Sequence, residues 1–194
     1  LAQLDGHVID GFSSDKARAL LAYLAVEADH PHRREALAAL LWPERAESQA
    51  RASLSQAIYN LRSILGDRGR ADAAKQASCP IPFLSIRGET IQFNLTSDHQ
   101  VDVASFSSLL QACAEHAHRA GEECDACIQR LGEAVSLYRG GFLQDLAIGD
   151  SVPYEEWVAL RREQLHRRAL EALQRLAAAH ERRGEYERGL VHAW

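Results

Sequence analysis

The chain has 194 residues, of which 46% are hydrophobic and 25% charged, and its formal net charge is −5 at pH 7. This composition is ordinary for a globular protein and argues against a strongly basic nucleic-acid binder. No uninterrupted apolar run reaches membrane-spanning length and no signal segment opens the chain, so we expect a cytoplasmic protein with no membrane partner. The chain starts at Leu1 and stops at Trp194 inside a helical pattern, which indicates a segment of a longer protein.

The negative charge is confined to the second half of the sequence. Residues 1–95 hold 11 basic and 11 acidic residues, whereas residues 96–194 hold 11 basic and 16 acidic residues. Between residues 48 and 70, four arginines accompany one acidic residue, Asp67. Because phosphate binding depends on clustered rather than total positive charge, the first half remains compatible with nucleic acid.

The first sixty-five residues predict a short hairpin followed by three helices. Residues 1–12 alternate around an Asp-Gly dipeptide, which is typical of a tight turn between two strands. An N-cap at Ser13 or Ser14 predicts the start of a first helix. A second helix follows and stops at Pro43, because proline lacks the amide that a helix interior needs. The third helix covers residues 48–65.

This third helix has an apolar stripe and a polar face. Its stripe residues are spaced at i, i+4, i+7 and i+11: Leu54, Ile58, Leu61 and Leu65. The opposite face carries residue types that contact nucleic acid: Arg51, Ser55, Gln56, Tyr59 and Arg62. Periodicity alone favours an ordinary solvated face, because most amphipathic helices contact no nucleic acid.

The segment that follows changes this interpretation. After a loop, the sequence FLSIRGETIQFNL alternates on both sides of Gly88-Glu89, which predicts a hairpin. Strands, three helices and a final hairpin are the order of a winged helix-turn-helix, whose third helix enters the major groove. Arg33 and Arg34 at the start of the second helix and Arg87 beside the wing turn are then candidate phosphate contacts. A solvated helix turn and a charged sheet edge are the alternatives for these arginines.

Strand signals cease after about residue 97, where we place a domain boundary. Residues 98–194 predict helices joined by short turns, in pairs that resemble a helical repeat array. The predicted fold class is therefore mainly α: a winged helix-turn-helix over residues 1–97, then an all-α domain of helical repeats over 98–194, truncated at its C-terminal end.

A Cys/His cluster lies in the helical half, in the sequence CAEHAHRAGEECDAC. It offers two ligand pairs at i, i+3 spacing on either side of a short turn, with one histidine as an alternative ligand: Cys113 with His116, Cys124 with Cys127, and His118. In a reducing compartment such spacing favours a metal over a disulfide. Four ligands of this kind would close a structural zinc site, whereas the plain alternative is packed or exposed thiols. No other cofactor is expected.

Several segments together resemble a known family. The order of KARALLAYLAVEADHPHRREALAALLWPE, ARASLSQAIYNLRSIL, TIQFN and VDVASF resembles the DNA-binding half of the bacterial antibiotic-regulatory-protein type of transcriptional activator, an OmpR-type winged helix. LYRGGFL, YEEWVALRREQLHRRALEAL and GEYERGL resemble the bacterial transcriptional activation domain that follows it. Ser55 departs from the pattern, because relatives often carry arginine there.

The resemblance implies a transcription regulator, expected to be an activator, that reads double-stranded promoter DNA with its third helix. The resemblance also implies that the helical domain is similar to tetratricopeptide repeats. This domain is expected to contact RNA polymerase or other proteins, or to serve in intramolecular regulation. The alternative is an interaction scaffold in which a degenerate winged helix and the repeats bind protein only, and the neutral charge of the first domain keeps this alternative open. No catalytic constellation is visible, so we do not expect an enzyme.

Overall fold

The computed structural model describes residues 2–4, 6–9, 11–67, 81–117 and 123–187. Its elements in chain order are β1 Gln3–Leu4, β2 His7–Val8, α1 Asp15–Val26, β3 His32–Arg33, α2 Arg34–Leu41, α3 Glu47–Ile64, β4 Leu84–Arg87, β5 Thr90–Phe93, α4 Asp102–Glu115, α5 Asp125–Leu137 and α6 Val152–Arg182. Within these ranges no helix is both long enough and apolar enough to cross a membrane. His118, Arg68 and Arg70 lie outside the described residues.

The chain forms two compact units. The first consists of Leu1–His99 with Asp145–Trp157, and the second of Gln100–Gln144 with Val158–Trp194. The sequence division at residue 97 does not anticipate that residues 145–157 pack with the first unit. Specific contacts hold this segment there: Lys16 Nζ lies 2.7 Å from Asp150 Oδ2, and the Trp157 indole donates a hydrogen bond of 2.7 Å to Glu27.

Two small sheets frame the helices of the first unit. The predicted N-terminal hairpin is present, with β1 antiparallel to β2 and Gly6 in the left-handed region at φ 79°. The predicted wing hairpin is also present, with β4 antiparallel to β5. A third strand, β3, was not predicted. It pairs with β5 and completes the order β3-β5-β4, but two residues are too few to give a periodic signal.

The three helices of the first unit pack their predicted apolar sides together. Ser14 is the N-cap of α1, because its hydroxyl accepts a hydrogen bond from the amide of Ala17. The stripe of α3 is buried as the spacing predicts: Leu54, Ile58, Leu61 and Leu65. Two further buried residues, Ala50 and Ala57, extend it. Burying one face of α3 leaves the opposite face, with its polar side chains, at the surface.

Asp67 joins the end of α3 to the start of the wing. Its carboxylate is fully buried and accepts hydrogen bonds from the amides of Phe83, at 2.8 Å, and Leu84, at 2.9 Å. A charged residue rarely occupies such a position unless hydrogen bonds replace its lost hydration. Asp67 therefore fixes the start of the wing relative to the end of α3. Its side chain is buried and does not contribute to the charge of the exposed surface of α3.

Helices α4 and α5 pack together in the second unit, with the later part of α6. One core cluster contains Cys113, Cys127, Leu131, Ala172 and Leu176. A second contains Phe106, Ala134, Leu165 and Ala169. Helix α6 runs without a break from Val152 to Arg182. Helix α5 ends at Leu137, shortly before the Gly140-Gly141 pair.

Candidate functional site

The polar face of α3 forms a row of exposed or partly exposed side chains. Arg51, Ser55 and Tyr59 are exposed at successive turns, and Arg62 continues the row with a partly exposed side chain. At 1.5 Å per residue, Arg51 and Arg62 are separated by about 16 Å along the helix axis. A row of this length on a helix whose other side is core has the shape required to lie in a major groove.

Contacts within α3 hold parts of this row in place. Arg51 Nη2 lies 3.0 Å from Glu47 Oε1, one turn earlier in α3. The exposed carboxylate of Glu47 therefore partly neutralises the positive charge of Arg51. The Ser55 hydroxyl donates a hydrogen bond of 2.9 Å to the Arg51 carbonyl. Gln56 Nε2 donates a longer one of 3.4 Å to Asn60. The sequence did not single out Glu47, although its i, i+4 spacing from Arg51 is a visible signal.

The wing turn lies beside the N-terminal half of α3. A cleft of about 330 Å³ is lined by Arg34, Arg51, Leu54, Ser55, Gly88 and Glu89. The structure thus brings together two predicted arginines from different helices and a wing turn that includes an acidic residue. The Arg34 amide donates a hydrogen bond of 2.9 Å to the Glu89 carbonyl, and its Nε donates one of 3.3 Å to the Gly88 carbonyl. Arg34 therefore also positions the wing.

The other two predicted arginines lie on the sheet that carries the wing. Arg33 in β3 and Arg87 in β4 are both aligned with Thr90 of β5, on opposite sides of it. Both side chains are exposed. Pairing of β3 with the wing strand, which the sequence did not predict, is what brings Arg33 to the same part of the sheet as Arg87.

Three of the predicted metal ligands converge at the junction of α4 and α5. His116 follows the last residue of α4, Cys124 is the N-cap of α5, and Cys127 lies in its first turn. Their ligand atoms all lie within 4.8 Å of one another. His116 Nδ1 is 3.3 Å from Cys127 Sγ and 3.4 Å from Cys124 Sγ.

Cys113 lies outside this group, although the sequence paired it with His116. Its side chain is buried in the core cluster of α4, α5 and α6, where its Sγ is 3.7 Å from the Cys127 carbonyl oxygen. Spacing of i, i+3 puts Cys113 and His116 on one side of α4 but does not decide what each side chain packs against. His116 is exposed at the C-terminal end of α4, beside Cys124 and Cys127, whereas Cys113 one turn earlier is part of the core.

The two thiols of the group have different electrostatic surroundings. A hydrogen bond from the Cys127 amide is the main cause that lowers the pKa of Cys124. Burial raises the pKa of the Cys127 thiol to about 11, and hydrogen bonds with Cys113 and Cys124 act in the same direction. Arg130 Nη1 lies 3.9 Å from Cys127 Sγ. The positive guanidinium group of Arg130 is therefore close enough to stabilise a thiolate at this sulfur.

Comparisons with known proteins concern the family and the fold of this chain. Residues 101–193 match the family profile of the bacterial transcriptional activator domain. The transcriptional regulatory protein EmbR of Mycobacterium bovis and that of Mycobacterium tuberculosis are each 33% identical over 132 residues, which is 68% of this chain and 31% of the relative. A solved structure of Mycobacterium tuberculosis EmbR in complex with a low affinity phosphopeptide matches with a TM-score of 0.62 and 25% identity, over 92% of this chain and 45% of that one. The chain belongs to the antibiotic-regulatory-protein type of bacterial transcriptional regulators.

Membership of this regulator family confirms the resemblance seen in the sequence. The predicted fold class, a small sheet with a winged helix-turn-helix followed by a helical domain, is confirmed as well. The chain spans 31% of the length of the curated regulators that it matches.

Proposed function

We propose that this chain binds double-stranded promoter DNA in the cytoplasm through α3 and the wing, and activates transcription. The observation that carries this proposal is the row from Arg51 to Arg62, exposed along the side of α3 that faces away from the core. A helix presented in this way supplies the donors that meet base edges and phosphates in the major groove.

The roles within the proposed interface follow from the side-chain chemistry. Arg51 and Arg62 supply guanidinium groups for guanine or phosphate, and Gln56 supplies an amide that matches adenine. Tyr59 and Ser55 supply hydroxyl groups for phosphate oxygens. Arg33, Arg34 and Arg87 extend the positive surface toward the wing. Because the first half of the sequence carries no net charge, binding depends on this local grouping.

We assign protein contacts to the helical part of the chain, with RNA polymerase as the expected partner. Support comes from residues 101–193, which match a domain whose name is that of a transcriptional activator. Purified RNA polymerase holoenzyme, immobilised and presented with the 194-residue chain, should retain it without DNA. Activation is then tested by transcription in vitro from a promoter that contains a DNA site to which the chain binds, obtained by selection from a random duplex library. Failure of both assays contradicts an activating role.

The direct test of DNA binding is selection from a random duplex library with the whole 194-residue chain, followed by salt titration of the enriched duplex. We expect one enriched motif, and a logarithm of affinity that falls linearly with the logarithm of salt concentration at about −0.9 per phosphate contact. If no motif is enriched and binding of the duplex does not change with salt concentration, the alternative is favoured, which is an interaction scaffold that binds protein only. The neutral charge of residues 1–95 is the observation that keeps this alternative in the test.

A further inference from the structure

We propose that His116, Cys124 and Cys127 bind one zinc ion that links the end of α4 to the start of α5. This inference is independent of DNA binding and concerns a different part of the chain. Its basis is the convergence of one imidazole nitrogen and two thiol sulfurs within 4.8 Å of one another.

The distances match those of a tetrahedral zinc site. Zinc bonds of about 2.3 Å to sulfur and about 2.0–2.1 Å to nitrogen separate neighbouring ligand atoms by about 3.5–3.8 Å. In this protein His116 Nδ1 lies 3.3 Å from one sulfur and 3.4 Å from the other. Both nitrogen–sulfur distances are slightly shorter than this, and the two sulfurs lie within 4.8 Å of each other, so the three ligand atoms already have nearly the spacing of a zinc site.

The start of α5 favours a thiolate at Cys124, which is the N-cap of the helix, where the helix dipole is positive. Cys127 is buried in the core, so a thiolate there depends on the ion itself and on neighbouring donors. Arg130 adds a donor 3.9 Å from the Cys127 sulfur. Such outer contacts orient ligands and tune a metal in known zinc sites. Two thiolates and a neutral imidazole would balance the charge of a divalent zinc ion.

The ion would bind where the core of the second unit meets its surface. His116 is exposed and Cys124 only partly buried, whereas Cys127 reaches the core cluster with Leu131 and Leu176. One ion held from both sides would therefore fix a surface turn to the core between two helices.

Metal analysis of the untagged 194-residue chain, purified under reducing conditions without added metal, tests the proposal. We expect about one zinc ion per chain, held by two sulfur ligands in X-ray absorption spectra. Cys124→Ser and Cys127→Ser should each weaken zinc affinity by at least about tenfold. Cys113→Ala is the matched control, because it removes a neighbouring buried thiol that lies outside the ligand group. Three sulfur ligands, or loss of zinc in Cys113→Ala, would overturn the ligand set.

A second measurement keeps the test decisive if a variant fails to fold. The wild-type chain, stripped with a chelator, should take up cobalt(II) and show the thiolate charge-transfer and tetrahedral d–d absorption of a two-sulfur site. Chelation should raise amide hydrogen exchange in α4 and α5 more than in α1–α3. A wild-type chain that is purified without zinc, takes up no cobalt and keeps its melting temperature after chelation would overturn the proposal.

Discussion

The exposed row on α3 and the His–Cys group between α4 and α5 use polar side chains in opposite ways. In the row, side chains stand apart over about 16 Å and point away from the core. In the group, His116, Cys124 and Cys127 converge within 4.8 Å, and Cys127 reaches the core. A row can contact an extended partner such as a duplex, whereas a converging group can surround a single ion.

A surface formed by one helix can be predicted directly from the sequence, whereas a site formed by two helices cannot. The row belongs to one helix, so its spacing decides which residues share a side. The group depends on the end of α4, the start of α5 and their packing. Cys113 illustrates this: it has ligand spacing from His116, yet its buried sulfur is 3.7 Å from the Cys127 carbonyl and outside the ligand group.

Leu61→Ala should lower the stability of the fold more than any other variant described below. It tests whether burial of the apolar stripe is what places the polar row at the surface of α3. Leu61 is fully buried on the opposite side of α3, so its truncation should lower the free energy of unfolding by about 2–5 kcal/mol. Ser55→Ala on the exposed row is the control and should change it by no more than about 0.5 kcal/mol. Denaturant titration measures both. Equal effects would show that the assigned phase of α3 is wrong.

Arg51→Ala should have the next largest effect, on DNA rather than on folding. Loss of a base contact should cost about 1–3 kcal/mol of duplex affinity, whereas loss of a phosphate contact should lower the salt slope by about one. Arg62→Ala should act in the same direction. Fluorescence anisotropy with the selected duplex measures affinity, and circular dichroism verifies the fold.

Two further variants separate the role of Arg51 from a general effect of positive charge on DNA affinity. Glu47→Gln should leave affinity unchanged or raise it, because it removes the carboxylate 3.0 Å from Arg51. Arg167→Ala, an exposed position on α6, is the control for general loss of positive charge and should retain affinity. Arginine variants on α3 that bind as well as the wild type, with intact helicity, would contradict the role of the row.

Two ion pairs, one in each unit, give the smallest expected effects. Lys16 and Asp150 are 2.7 Å apart in the first unit, and the Asp150 side chain is 64% exposed. Arg175 and Glu123 are 2.8 Å apart in the second, where the Glu123 side chain is only 10% exposed. Because solvent screens exposed charges, double-mutant cycles should give about 0.2–1 kcal/mol for the Lys16 pair and a larger coupling for Arg175. Equal couplings would contradict this ranking.

Local patterns in the sequence predict the helices and the side of each helix that faces the core. Ser14, the stripe through Leu61 and the Gly88 turn follow from local rules of capping, periodicity and turn geometry, and the structure has each of them. These rules act over one or two turns of chain, so neighbouring residues carry all the information that they require.

Contacts between residues far apart in the chain depend on long-range packing. Burial of the Asp67 carboxylate against the amides of Phe83 and Leu84, and pairing of β3 with β5, join segments far apart in the chain. The exclusion of Cys113 from the group around His116 likewise depends on where α4 ends and how α5 packs. Such contacts depend on long-range packing and on the hydrogen bonds that buried polar groups require, and no local period in a sequence encodes them.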